Sequence, residues 1–276
     1  MIELLSMPFV QIALMTAFVL AGIHTYLGFH IVSRGVIFID LSLAQAAAFG
    51  TATALAVGLE DNPLLRYLMA LLFTFIGAII ISFTRTKDER VPQEAFIGIV
   101  YAAFTAGTVL LLARRAEGMG ELSHLISGSL LTVSTPELLK ITIIYAIIGI
   151  LHYILKHRFL TISTDREKAV KLGWKTGWWD FLFYALFGVV VTSSVAVAGV
   201  MLVFSLLVIP PVAALLISKR HNLRLILGWT VGFMGAAIGV LIALKFDFPV
   251  GPSIIVSLVG ILVSVVVIRV IKRLSA

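Results

Sequence analysis

Nine stretches of this 276-residue chain are apolar for long enough to cross a bilayer, and little separates one from the next. They run over 8–32, 41–59, 64–84, 94–113, 139–155, 179–198, 200–217, 223–244 and 251–271. A membrane helix needs roughly 20 largely apolar residues, because the hydrocarbon core is about 30 Å thick. Barrel strands would instead alternate over about 10 residues, and only helices or closed barrels satisfy their backbone inside lipid. With 60% hydrophobic and 13% charged residues, the chain is far from a soluble domain, in which about a quarter of residues are charged. A soluble enzyme and a nucleic-acid binder are excluded. The first stretch is too long for a signal peptide and lacks a small-residue cleavage site, so it reads as a span. The run 179–217 has Gly199 near its middle and reads as two crossings, or as one crossing and a re-entrant half-helix. The segment 122–133 is too short to cross and reads as re-entrant or interfacial. The expected fold is an all-α polytopic membrane protein of eight or nine transmembrane helices, a single transmembrane domain over 1–276.

Charge orients those spans. With the N-terminus outside and the C-terminus cytoplasmic, 16 of the 21 Lys and Arg residues fall on the inner side. They cluster at Arg34, Arg85–Arg90, Lys156–Lys175, Lys219–Arg224 and Arg269–Arg273, whereas Arg66, Arg114, Arg115, Lys140 and Lys245 are outside. Cytoplasmic loops carry the Lys/Arg excess, so this orientation is favoured over its inverse. The net charge of +7 is then mostly positive-inside bias, with lipid as the surrounding partner and no nucleic acid required. Gly228–Gly239 (GWTVGFMGAAIG) offers small residues for close helix approach.

There are no cysteines, which removes disulfides, thiolate metal sites, iron–sulfur clusters and cysteine nucleophiles. No Walker A loop, HExxH helix or GxSxG elbow is present. No polar stretch exceeds about 25 residues, too few for a nucleotide-binding domain. Any ATP-driven pumping must therefore use a separate subunit, and this chain binds no cofactor of its own. The longest inner segment, 156–180, contains Thr164-Asp165-Arg166-Glu167, spaced to start a short helix, and Gly173, placed to end it. It reads either as a solvated connector anchored by Trp174, Trp178 and Trp179 or as an interface to a cytoplasmic partner.

Five stretches in the same order resemble the integral permeases of metal-ion ABC transporters. They are VSRGVIFIDLSLAQAAAFG (32–50), HLISGSLLTVSTPEL (124–138), TISTDREKAVKLGW (161–174), AGVMLVFSLLVIPPVAALL (198–216) and DFPVGPSIIV (247–256). The resemblance implies an importer of zinc, manganese or iron in the cell's inner membrane, with a dimer of permease subunits around a central pathway. It also implies one ATPase subunit, with its ATP and Mg, docked on each permease, and an extracytoplasmic binding protein delivering substrate. Two stretches suit the coupling helix that such a permease presents to its ATPase. Pro210–Arg220, with Pro210, Pro211, Ala213 and Ala214, is preferred on resemblance; Asp165–Trp174, with Asp165 and Glu167, is the second.

The sequence departs from the family where the family holds its metal. The expected acid and histidine, four residues apart on the second helix, align with Leu41 and Gln45. Asp40 is adjacent to the expected acid but lies five residues from Gln45, about 140° around a helix, so the two cannot share a face. Three readings follow. Ligands for the metal come from elsewhere, with His24, His30 and Asp40 as candidates; or the substrate is a chelate or small organic molecule, met by Gln45, Ser42 and Tyr26; or the pathway holds no tight site. His24 and His30 are six apart, about 120° around one helix, so they need a cross-helix partner. As a metal pair, His24 and Asp40 are favoured.

Plainer roles are expected for the remaining groups. Asp40 near a helix start complements the helix dipole, and Glu94 in VPQEAFIGI reads as an N-terminal helix acid. His157 and His221 read as solvated or lipid-facing, and His152 as snorkelling from a helix end. His124 and Asp247 are candidates for the outer mouth or for docking the binding protein, against simple capping. The rival class, a stand-alone secondary transporter or channel, would carry charged relays within its spans, and these cores are nearly free of charge. A membrane enzyme would need catalytic polar groups at one depth, and none is evident.

Overall fold

The computed structural model describes residues 6–59, 61–85, 90–113, 128 and 130–274, less the side chains of 221 and 222. Among these the chain is helical. Its helices are α1 (Pro8–Arg34), α2 (Ile39–Ala56), α3 (Pro63–Phe83), α4 (Gln93–Leu112), α5 (Thr135–Ile154), α6 (Lys156–Thr164), α7 (Arg166–Lys171), α8 (Thr176–Ala198), α9 (Val200–Ile217), α10 (His221–Phe246) and α11 (Val250–Leu274), with a 3-10 turn at Leu130–Thr132. Nine of them are long and apolar enough to span a membrane. The run 179–217 is therefore two helices, α8 and α9, broken at Gly199 with φ +77°. Gly128, at φ +63°, packs on that break: a Cβ there would stand 2.1 Å from the Ala198 carbonyl carbon.

Local signals set the helix ends. Asn62 caps α3 by accepting the Leu65 N–H at 3.1 Å, with Pro63 as the first helical residue, a position where its missing N–H costs nothing. Ser134 and Glu137 form a reciprocal capping box, the Ser134 N–H and Oγ–H both donating to Glu137 at 2.8 Å. That box starts α5 at Thr135, before the apolar run begins, which is why the span begins earlier than hydropathy places it. The helix expected to start at Thr164 is instead capped by Asp165, which accepts the Lys168 N–H at 3.0 Å. The Thr164 hydroxyl is taken by the Leu160 carbonyl at 2.9 Å, at the end of α6, a helix that the sequence pattern did not reveal. Gly173 ends α7 in the left-handed region as expected.

The chain divides into two compact units. The first comprises 1–32, 127–149 and 197–276. Here α9 packs against both α10 and α11, which pack on each other. The small-residue run of α10 serves two neighbours. Gly228 and Gly232 face Thr25 on α1, and Gly235 and Gly239 face Leu258 and Ile254 on α11. Each pair is four apart and so lies on one face. The Trp229 indole N–H donates to the Gly22 carbonyl at 2.9 Å.

The second unit comprises 33–126 and 150–196. In it α2 packs against α3 and α4, with Gly50 against the Met69–Ala70 backbone and a ring cluster of Phe49, Phe73 and Phe104. Thr74 and Thr192 share a hydrogen bond at 3.0 Å. The least apolar of the nine spans, α2, is the most buried at 67%, whereas α11, the most apolar, is buried at only 17%. Without a hydrophobic drive between helices in lipid, small residues pack inside and large aliphatic ones meet the acyl chains.

Candidate functional site

The expected substrate residues fall into two groups, one in each unit. In the first unit His24 is fully buried. Its Nδ1 lies 2.8 Å from the Leu20 carbonyl oxygen, which can only accept, so Nδ1 carries the proton. A neutral imidazole held that way presents a bare lone pair at Nε2, and this atom is buried without a partner among the described residues. A metal-binding histidine is oriented by the same kind of backbone bond. Beside it stands Tyr145, edge-to-face with ring centroids 6.3 Å apart. Tyr26 and His30 pack on each other instead, at 5.2 Å. Tyr26 is two residues from His24, about 200° around α1, so it turns away.

In the second unit Asp40 occupies the first turn of α2, where a carboxylate complements the dipole, but the N-cap residue is Phe38 and no side chain caps the helix. Asp40 is 1% exposed, and its Oδ1 has no partner among the described residues. The Ser42 hydroxyl and Gln45 Oε1 are buried and unpartnered in the same sense. Ser42 and Gln45 are three apart and share a face; Asp40 does not join them. Leu41 and Gln45, where the resemblance leads one to expect an acid and a histidine, sit on one half-buried stripe of α2. Glu94 is more than a helix-start acid. Its Oε1 accepts the Ile37 N–H at 2.5 Å and so ties the turn before α2 to the start of α4. Among the described residues no three His, Asp or Glu side chains converge to hold a metal ion.

The coupling candidates differ in accessibility. Pro210, Pro211, Ala213 and Ala214 are buried inside α9, in the apolar run of a span. Asp165 and Glu167 are on α7, and Glu167 is 87% exposed. The α6–α7 hairpin is fastened to its unit by a buried ionic cluster that the sequence reading missed. Asp180, in the second turn of α8, accepts from Arg34 at 2.7 Å and from Arg166 at 2.5 Å, and Arg34 and Asp180 are each only 1% exposed. Arg34 also donates from Nε to Ser163 Oγ at 2.9 Å and lies 3.9 Å over the Phe183 ring. Burial, and then the like charge of Arg166, push Arg85 below the usual arginine range. An acid within an apolar helix start was the available signal, since such a charge needs a partner.

His152 does not snorkel. It is fully buried against Phe159 and Phe183, with ring centroids at 4.6 and 5.5 Å. Asp247 is exposed and forms the left-handed C-cap of α10 at φ +56°. His124 lies outside the described residues.

Residues 6–269 match the ABC 3 transport family. The chain belongs to this family. It is therefore the membrane-embedded, multi-pass transport subunit of an ABC system, not an enzyme, and the family implies separate ATP-binding and substrate-binding partners. The chain is 28% identical over 255 residues to the manganese transport system membrane protein MntC of Halalkalibacterium halodurans, covering 92% of this chain and 85% of that protein. It is 25% identical to the chelated iron transport system membrane protein YfeD of Yersinia pestis, covering 92% and 83%. Among solved structures, PsaBC from Streptococcus pneumoniae in complex with Fab shares the fold, with a TM-score of 0.79 and 24% identity over 96% of this chain and 93% of that one.

Proposed function

We propose that this chain forms half of a homodimeric import pathway for a divalent metal ion, manganese or zinc first and iron next, driven by ATP and Mg on separate subunits. The match to the family along nearly the whole chain carries this reading, together with relatives named for manganese and chelated iron transport. The bias of Lys and Arg supports an N-terminus outside and a C-terminus in the cytoplasm of the inner membrane, with 1–276 working as one permease domain.

His24 is the proposed pathway ligand, since Nε2 is bare and backbone-oriented. Two symmetry-related chains would supply what one lacks, because a single chain brings no third ligand to it among the described residues. Asp40 is the second candidate metal ligand; Asp247 and His124 are assigned to the outer mouth, where the binding protein delivers. The α6–α7 hairpin, with Asp165 and Glu167, is the better coupling element, because Pro210–Ala214 are buried within a span. Closure of the ATPases would push that hairpin. Arg34 and Arg166, both held by Asp180, would pass the movement to the ends of α1 and α8, opening and closing the pathway by alternating access.

A chelate reading rests on Ser42 and Gln45, whose unpartnered oxygens suit neutral hydrogen bonding. The test is ATPase stimulation of the purified complex in nanodiscs, with its binding protein loaded in turn with zinc, manganese, iron or nothing. Stimulation by one metal-loaded form that falls in His24→Ala supports the assigned ligand. Metal stimulation that survives His24→Ala removes it. Stimulation by no metal, in an intact complex, leaves the chelate reading.

A further inference from the structure

Between α6 and the start of α8 lies an open, mostly apolar cavity of about 630 Å³. Trp174, Trp178, Trp179 and Phe181 form its walls, and Arg158 and Lys175 supply its charge. Among the described residues no acidic side chain lines it. The Arg158 guanidinium is held over two indoles, 4.0 Å from the Trp174 ring and 5.3 Å from that of Trp179. Stacking fixes the plane of an arginine and leaves its N–H edge free to meet an anion. Among the described residues neither Arg158 nor Lys175 makes an ion pair.

The depth of the cavity is set by its own elements. Trp178 and Trp179 occupy the first turn of a span, the level at which indoles collect in a bilayer. Trp178 is 60% exposed and meets Phe83, the last residue of α3, with ring centroids 5.7 Å apart. The apolar wall thus begins where two spans end, and the cations stand at its polar rim. The size falls within the range of small-ligand sites, about 300–1,000 Å³.

We infer that this cavity binds an anionic phospholipid, an acyl chain lying along the tryptophan wall and the headgroup phosphate resting between Arg158 and Lys175. Charge complementarity selects the occupant: two cations with no acid among the described lining residues favour an acidic lipid over a zwitterionic one. At a membrane surface each such cation contributes enough that the pair yields a preference of up to about 30-fold.

Quenching of tryptophan by brominated lipid tests this directly. The chain has four tryptophans, so the full-length Trp229→Phe variant keeps only the three that line the cavity. In nanodiscs of equal bromolipid content, dibrominated phosphatidylglycerol is expected to quench more strongly than dibrominated phosphatidylcholine. The preference is expected to vanish in R158Q/K175Q and to persist in R158K/K175R. Equal quenching by the two lipids, or a preference that survives R158Q/K175Q, overturns the assignment. So does a preference that disappears when the ATP-binding subunits are added, since a protein would then own the surface. Native mass spectrometry of the unsubstituted chain covers the case in which Trp229→Phe does not fold. Retained phosphatidylglycerol that is lost in R158Q/K175Q supports the site, and equal retention refutes it.

Discussion

Asp180 shows how one buried charge can decide local architecture. Among the described residues it is the ion-pair partner of Arg34, which is 1% exposed, and it also holds Arg166. Removing one partner of such a pair leaves an uncompensated buried charge, a loss of about 3–5 kcal/mol. Asp180→Asn is therefore expected to lower the thermal unfolding midpoint in nanodiscs markedly. Glu167→Gln breaks a 3.8 Å pair whose members are 80% and 87% exposed, and pairs like it contribute about 0–1 kcal/mol; its midpoint is expected to stay put. Equal midpoints for the two variants would deny the cluster its structural role. His24 is the other residue whose surroundings speak to function, because a backbone carbonyl selects its tautomer.

At the scale of elements, the packing of α1 on α9 turns on a pair of prolines. Pro210 and Pro211 lie inside α9 and have no N–H, so the carbonyls of Leu206 and Leu207 lose their intrahelical partners. In a membrane such groups need protein cover. Gly28 provides it: its backbone lies so close that a Cβ would stand 1.9 Å from the Leu207 oxygen and 2.8 Å from Pro211 Cγ. Gly28→Ala drives a methyl group into the Leu207 carbonyl and so forces the two backbones apart. It is expected to destabilise by about 1–3 kcal/mol or more, read as a lower unfolding midpoint. Gly98→Ala, where nothing lies within 4 Å of the added carbon, is the control and is expected to leave the midpoint unchanged or raise it slightly, since alanine favours helix. Unchanged stability in Gly28→Ala would show that α1 and α9 part easily.

For the whole molecule, the expected topology has a direct check. The chain has no cysteine, so single cysteines report cleanly on sidedness. A cysteine at Glu167 is expected to react with an impermeant maleimide only from the cytoplasmic side, and one at Asp247 only from outside. The reverse pattern would invert the orientation and move the coupling hairpin to the wrong face for an ATPase. The proposed phospholipid site and the proposed coupling hairpin share the segment 156–180, so both depend on that same sidedness.

The spans and their helical class were legible in the sequence, because burial in lipid is a property of each segment: length and apolarity suffice, though they left 179–217 as one crossing or two. The break at Gly199 and the end of α7 at Gly173 were legible for the same reason, since they turn on local backbone preferences. That Leu41 and Gln45 stand where the resemblance leads one to expect an acid and a histidine was likewise read along the chain. Other features depend on partners distant in sequence. Pro210–Ala214 fell within the apolar run 200–217 and also resembled a coupling turn by motif; what only packing shows is that these side chains are buried. Arg34 and Asp180 are 146 residues apart, so no local pattern could pair them, and Arg34 read simply as one more inner positive charge. The bare nitrogen of His24 and the cation stacked on tryptophan at Arg158 are likewise matters of orientation. Hydropathy along a segment determined where this chain meets lipid; which polar groups stay charged, paired or exposed was decided by contacts between segments, because desolvation is compensated only by groups that folding brings within bonding distance.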